Sequence, residues 1–131
     1  MTNAFLPRFF SSTNGVLPMG LYSNTPGTVF YVTSDGGLTW TPSTPVVLNG
    51  KYSIASRVDF LVWDGGPALF VSHDAGTTWS TGAPNININD TLVSFQFVNA
   101  TTGWAVTGDA SNHYALYKTT DGGTTWSPLI P

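Results

Sequence analysis

Three eight-residue segments of this chain align without gaps: Thr33 to Trp40, Ser72 to Trp79 and Thr119 to Trp126. Each reads hydroxyl, any residue, Asp, any residue, Gly, any residue, Thr, Trp. The aspartates fall 39 and then 47 residues apart in a chain of 131. A motif that returns three times at this spacing restricts the chain to a repeat architecture, in which each unit buries its apolar surface against the next.

Each copy has the same surroundings. A β-prone run precedes it, at Val29–Val32, Ala68–Val71 and Ala115–Lys118, and the Thr-Trp pair opens a short strand that soon meets Pro42, Pro84 or Pro128. Strand, tight turn, strand is a hairpin. The residue types follow from that geometry. Gly37, Gly76 and Gly123 accept a positive φ that a β-carbon would oppose. The carboxylates of Asp35, Asp74 and Asp121 bond turn amides. Thr39, Thr78 and Thr125 tie the turn to its strand, and the rings of Trp40, Trp79 and Trp126 supply a wedge for the core.

Two further strands precede each hairpin. In the third unit they are Leu92–Val98, with period-two alternation, and Gly103–Gly108. In the second they are Tyr52–Ala55 and Val58–Trp63, and in the first Arg8–Ser11 and Val16–Tyr22, the latter weakened by Pro18. No segment carries a helical period. The expected fold is all-β: three four-stranded antiparallel propeller blades, at about 5–46, 47–88 and 89–131, forming a single unit.

Composition narrows the function. Charged residues make up only 8% of the chain, against roughly 25% in ordinary soluble domains. The four cations (Arg8, Lys51, Arg57 and Lys118) are scattered, so no phosphate-tracking patch forms and no nucleic-acid partner is expected. Without cysteine there is no disulfide, thiolate nucleophile or cysteine zinc site. His73 and His113 do not have the spacing of a metal pair, and neither a metal nor a cofactor is expected. No apolar run approaches the ~18 residues of a membrane span, and Met1–Phe10, broken by Pro7 and Arg8, does not read as a signal peptide.

The three copies resemble the BNR, or Asp-box, repeat. The third unit, with Phe95-x-Phe97-Val98, Gly103-Trp104-Ala105-Val106 and Tyr117 to Trp126, is most similar to propellers of the photosystem II stability and assembly factor type. Asp boxes also occur in sialidases, sortilin-like receptors and xyloglucanase-type glycoside hydrolases. The resemblance implies that the box is a structural turn at the blade edge and not a catalytic carboxylate, since three equivalent copies do not share one asymmetric active site. A sialidase would need three arginines and a Glu, whereas this chain has two arginines and no Glu. A glycoside hydrolase needs only two acids, which leaves Asp59, Asp64, Asp90 and Asp109 as the carboxylates to weigh. Of these, Asp59 falls in an apolar strand two residues from Arg57, a partner on the same strand face.

The expectation is therefore a non-catalytic module that binds protein or glycan through its loop faces, with a fragment of a xyloglucanase-like hydrolase as the alternative. Trp63 and Tyr114 are the ligand-contact candidates, ahead of Tyr22 and of Trp104, which is expected to pack between blades. Three blades leave two open flanks. These are closed by a homo-oligomer, a dimer of six blades being favoured, or by the remaining blades of a longer parent. The surface, rich in Thr and Asn, suggests an extracellular or cell-surface setting, where Asn89-Asp90-Thr91 and Asn99-Ala100-Thr101 would be sequons.

Overall fold

A computed structural model describes residues 2–4, 6–21, 26–48, 50–89, 91–111 and 113–130, so Tyr22 and Asp90 lie outside the described residues. Every regular element among them is a strand. The first sheet holds β1 (Thr2–Ala4), β2 (Arg8–Phe9), β3 (Gly15–Leu21), β4 (Gly27–Thr33) and β5 (Thr41–Pro42). The second holds β6 (Lys51–Ile54), β7 (Phe60–Trp63), β8 (Leu69–Ser72) and β9 (Ser80–Gly82). The third holds β10 (Leu92–Phe97), β11 (Gly103–Gly108), β12 (Tyr114–Thr119) and β13 (Ser127–Ile130). In the second and third sheets antiparallel neighbours follow chain order, and all three sheets are antiparallel blades.

The first blade departs from the expected pattern in one respect. Both β1 and β2 pair with β3, through Ala4↔Met19 and Arg8↔Val16. They replace one inner strand with two short ones. Pro7 has no N–H to give a ladder, and Pro18 of β3 lies in the stretch between the two pairings, where its own missing donor is least costly. β1 also lies ahead of residue 5, where the first blade was expected to begin.

Alternation along the strands sends side chains to both faces of each sheet, and both faces of the middle blade are covered. One core lies between the first and second blades, built on Val16, Phe30, Val46, Ile54, Phe60 and Val62. The other lies between the second and third and includes Leu61, Trp63, Leu69, Phe95, Phe97 and Trp126. Aromatic rings stack across both seams: Phe30 on Phe60 at 4.8 Å, and Trp63 on Trp126 at 5.2 Å. A side chain of this size, fully removed from water, contributes of order 2–3 kcal/mol through its apolar area alone.

Polar straps lock the same seams. The segment leaving the outer strand of one blade runs onto the box of the next. Thr44 donates from its amide to Gly76 O (2.9 Å) and from Oγ1 to Thr77 O (2.8 Å), and it receives Trp79 Nε1 on its own carbonyl (2.9 Å). Asn85 does the corresponding work one blade on: its amide donates to Thr124 O (3.0 Å) and its Oδ1 accepts from Trp126 N (2.8 Å).

Candidate functional site

The box turns repeat atom for atom. In the first, Thr39 donates to Asp35 from both its amide (2.9 Å, to Oδ1) and its hydroxyl (2.5 Å, to Oδ2), while Thr33 Oγ1 donates to Oδ1 (2.8 Å). Thr33 Oγ1 in turn accepts from Gly37 N at 3.0 Å. Ser72, Asp74, Gly76 and Thr78 form the same set, as do Thr119, Asp121, Gly123 and Thr125. The Gly of each box has positive φ, at 93°, 84° and 97°. The Thr hydroxyl and amide hold Asp35, Asp74 and Asp121 ionised, lowering each pKa from 3.8 to about 2. An acid so fixed is a poor proton donor at neutral pH, and all of its near donors belong to its own turn.

Each box also docks on the first hairpin loop of its own blade. Gly36 N donates to Thr13 O, Ala75 N to Val58 O and Gly122 N to Thr101 O, at 2.9–3.0 Å. Boxes and first-hairpin loops therefore share one end of each blade, and the loops joining the second and third strands occupy the other.

That division separates the remaining carboxylates. Asp59 belongs to the box end of the second blade and Asp64 to the opposite end, with the whole of β7 between them. Five extended residues span roughly 16 Å, well beyond the ~6.5–9.5 Å of an inverting acid pair. Asp59 also stands just outside the apolar strand in which it was expected, and its partner is His73 instead of Arg57. Its Oδ1 lies 2.7 Å from His73 Nδ1, and its Oδ2 accepts from Ser56 Oγ at 2.7 Å. The pairing Phe60↔Ser72 explains this, because one step further brings Asp59 opposite His73. Asp64 caps a turn through Gly66 N (2.9 Å). Asp109 accepts from the amides of His113 and Ser111 (3.0 and 2.8 Å), which lower its pKa, and lies 3.2 Å from His113 Nδ1. No three potential metal-binding side chains come together among the described residues.

The ligand-contact candidates separate sharply. Trp63 is fully buried, stacked on Trp126, with Nε1 donating to Gly66 O at 2.9 Å, so it has no face to offer a ligand. The turn residues beside it suggested exposure, but the residue belongs to the seam between blades. Tyr114 is 59% exposed. Trp104 is half-buried on the outer face of the third blade, with Lys118 Nζ 5.5 Å from its ring centre.

A concave surface missed at the sequence level lies along the inner strands. Leu6 and Arg8 of the first blade, Tyr52 to Ile54 of the second, and Phe95 and Gln96 of the third line a groove of about 260 Å³. Arg8 donates to Ile54 O and lies over the Phe10 ring at 4.8 Å, which fixes a cation at the groove edge. Burial raises the pKa of Tyr52, keeping its phenol neutral. Apart from Leu6, which lies between β1 and β2, every contributor belongs to the inner strand of its blade, and that convergence appears once the sheets are stacked.

Stacked antiparallel blades, each closed by a hydroxyl–Asp–Gly–Thr–Trp turn, define three blades of the β-propeller type. The chain carries BNR/Asp-box repeats at 31–42, 70–81 and 117–128. It shares its fold with "YCF48 bound to D1 peptide" (TM-score 0.62, 20% identity) and "YCF48 from Cyanidioschyzon merolae" (TM-score 0.64, 22% identity). Both similarities cover 98% of this chain, which spans 39% and 37% of the respective structures. Comparison with curated proteins by sequence returns no match.

Proposed function

We propose that this chain is a non-catalytic propeller section, working within a closed ring, that binds a segment of another protein across its inner-strand groove and the adjoining loops. The groove carries the proposal. It joins apolar side chains (Leu6, Ile54 and Phe95) to the fixed cation of Arg8, a combination that suits an extended peptide. A solved propeller of the same fold is described as bound to a peptide, which supports the reading. The spread of Asp59 and Asp64 to opposite ends of a blade, and the engagement of Asp109 by its own turn, weigh against hydrolysis. A polar surface with few charges also suits a neutral glycan, so the test includes one.

The test is a binding screen of the purified chain on an array of extended peptides of about 15 residues, a typical length for linear recognition, beside a glycan array and a panel of chromogenic glycosides. Selective peptide binding is expected, weakened by Leu6→Ser, whose side chain is 87% exposed and contributes little to the fold. Glycan binding without peptide binding, or glycoside turnover, would overturn the reading.

A further inference from the structure

The two outer blades each have one face with no blade against it, and these faces carry the separate halves of a contact that the molecule already makes. Strand register defines the corresponding positions. Gly15, Phe60 and Gly103 stand opposite the hydroxyl residue that opens each box, Thr33, Ser72 and Thr119. Counting from there makes Arg8, Ser53 and Gln96 equivalent on the inner strands, and Phe9, Ile54 and Phe97 the residues that follow them. By the same count Leu116 of the third blade takes the place of Leu69 in the second.

At the seam between the second and third blades, the receiving half is an aromatic pair with glycines beside it. Phe97 and Trp126 meet edge to face at 5.9 Å. A β-carbon at Gly123 would collide with Leu69 Cδ2, so Leu69 fills the space that this glycine leaves open. The first blade repeats the arrangement on its outer face. Phe9 and Trp40 meet edge to face at 6.1 Å, and Phe9 packs over Gly15 as Phe97 does over Gly103. Gly37 stands against Trp40 as Gly123 does against Trp126. No blade covers this pair, and Phe9 is 44% exposed.

The inserting half is on the outer face of the third blade. Trp104, Val106 and Leu116 project there, opposite in direction to the Ala105 and Phe97 that face the second blade. The inner strands add a polar link at each internal seam. Arg8 donates to Ile54 O, and Ser53 Oγ accepts from Phe97 N at 2.9 Å. The side chain of Gln96, the third member of the series, is exposed and has no hydrogen-bond partner among the described residues. The distribution of exposed large apolar side chains agrees. Leu6, Phe9, Leu38, Val93, Val98, Tyr114 and Leu129 belong to the outer blades, and Val47 lies on the segment that joins β5 to β6.

We propose that these flanks bind each other head to tail, so that two copies of this chain close a six-bladed ring. Leu116 of one copy packs on Gly37 and Trp40 of the other, and the Gln96 amide bonds the inner-strand backbone at Phe9. Propellers close with about 4–8 blades, and two sets of these three blades make six. The inference rests on the closed-ring part of the function proposed above and not on its ligand.

Sedimentation equilibrium of the full chain tests it. The expected mass is twice the 14.0 kDa of one chain. A monomer throughout the soluble concentration range, or an assembly of three or more chains, would overturn it. Gln96→Ala removes one hydrogen bond at each of two identical seams and should raise the dimer dissociation constant about tenfold or more. Leu116→Asp places a charge in both seams and should yield a monomer that keeps the far-ultraviolet circular dichroism of the parent. If Leu116→Asp does not fold, Gln96→Ala decides alone. A dimer whose dissociation constant Gln96→Ala leaves unchanged uses another surface, and the proposal then fails. Peptide binding by a chain that stays monomeric would overturn the ring alone, while a dimer without peptide binding would overturn the ligand alone.

Discussion

The box aspartates behave as permanent anions because the Thr two positions past each box glycine donates to both carboxylate oxygens. Their pKa values stand near 2 in the folded chain against 3.8 ordinarily. The unfolded chain therefore takes up protons first as pH falls. The stability these groups contribute is complete above about pH 4 and is lost as pH falls through about 2. Tryptophan fluorescence followed from pH 5 to pH 1.5 should show unfolding in that window. Asp121→Asn should lower the stability at pH 7 and flatten its dependence on pH below 4. An equally steep acid transition in the variant would show that other groups govern it. A second contrast lies between the two aromatic candidates. Trp63→Ala removes a fully buried ring from the seam core and should cost about 3–5 kcal/mol in urea denaturation. Tyr114→Ala, at an exposed edge, should change stability by no more than about 0.5 kcal/mol.

At the level of the element, the hairpin turn distinguishes two adjacent glycines. Gly122 has φ 79°, and a β-carbon there would approach only Ala100 O, at 3.6 Å. The corresponding residue of the second box is Ala75, which adopts φ 59°, so this position tolerates a side chain. Gly123 has φ 97°, and a β-carbon would strike Leu69 of the neighbouring blade. Gly122→Ala should cost about 1–2 kcal/mol, the strain of a left-handed alanine. Gly123→Ala adds an overpacked seam and should cost about 3 kcal/mol or more. Thermal denaturation of the two variants checks the order, and equal costs would show that backbone strain alone matters. The turn itself was legible from the chain: residue types, spacing and the role of each hydroxyl follow from local geometry. The contact that makes the last box glycine more exacting than its neighbour was not, because Leu69 is 54 residues away.

For the whole molecule, protection should follow position in the stack. In an array of repeats each unit is stabilised by its neighbours, and only the middle blade has one on both faces. Amide exchange monitored by mass spectrometry should be slowest in β7, whose four residues are all essentially inaccessible. The inner strand of the first blade, in two short pieces, should exchange fastest among the inner strands. That order holds for the dissociated chain; protection of the outer blades should rise with protein concentration as the two flanks cover each other, and slowest exchange in an outer blade at the lowest concentration would overturn it.

Local rules in the sequence determined the period, the hairpins, the box glycines and the all-β class, since each depends on residues within a few positions of one another. They placed β3, β10 and β11 nearly to the residue. The split of the first inner strand depended on how Pro7 and Pro18 fall against each other in the register. Which aromatic rings face a ligand, a neighbouring blade or an open flank was decided only by the tertiary structure. Trp63 and Tyr114 both adjoin turns, yet stacking of the blades buries one completely and leaves the other exposed. The pairing of Asp59 with His73, the groove along the inner strands and the matching of the two outer faces have the same origin. All three join residues far apart in the chain, and the physical reason is register: a shift of one position would turn every one of these side chains to the opposite face.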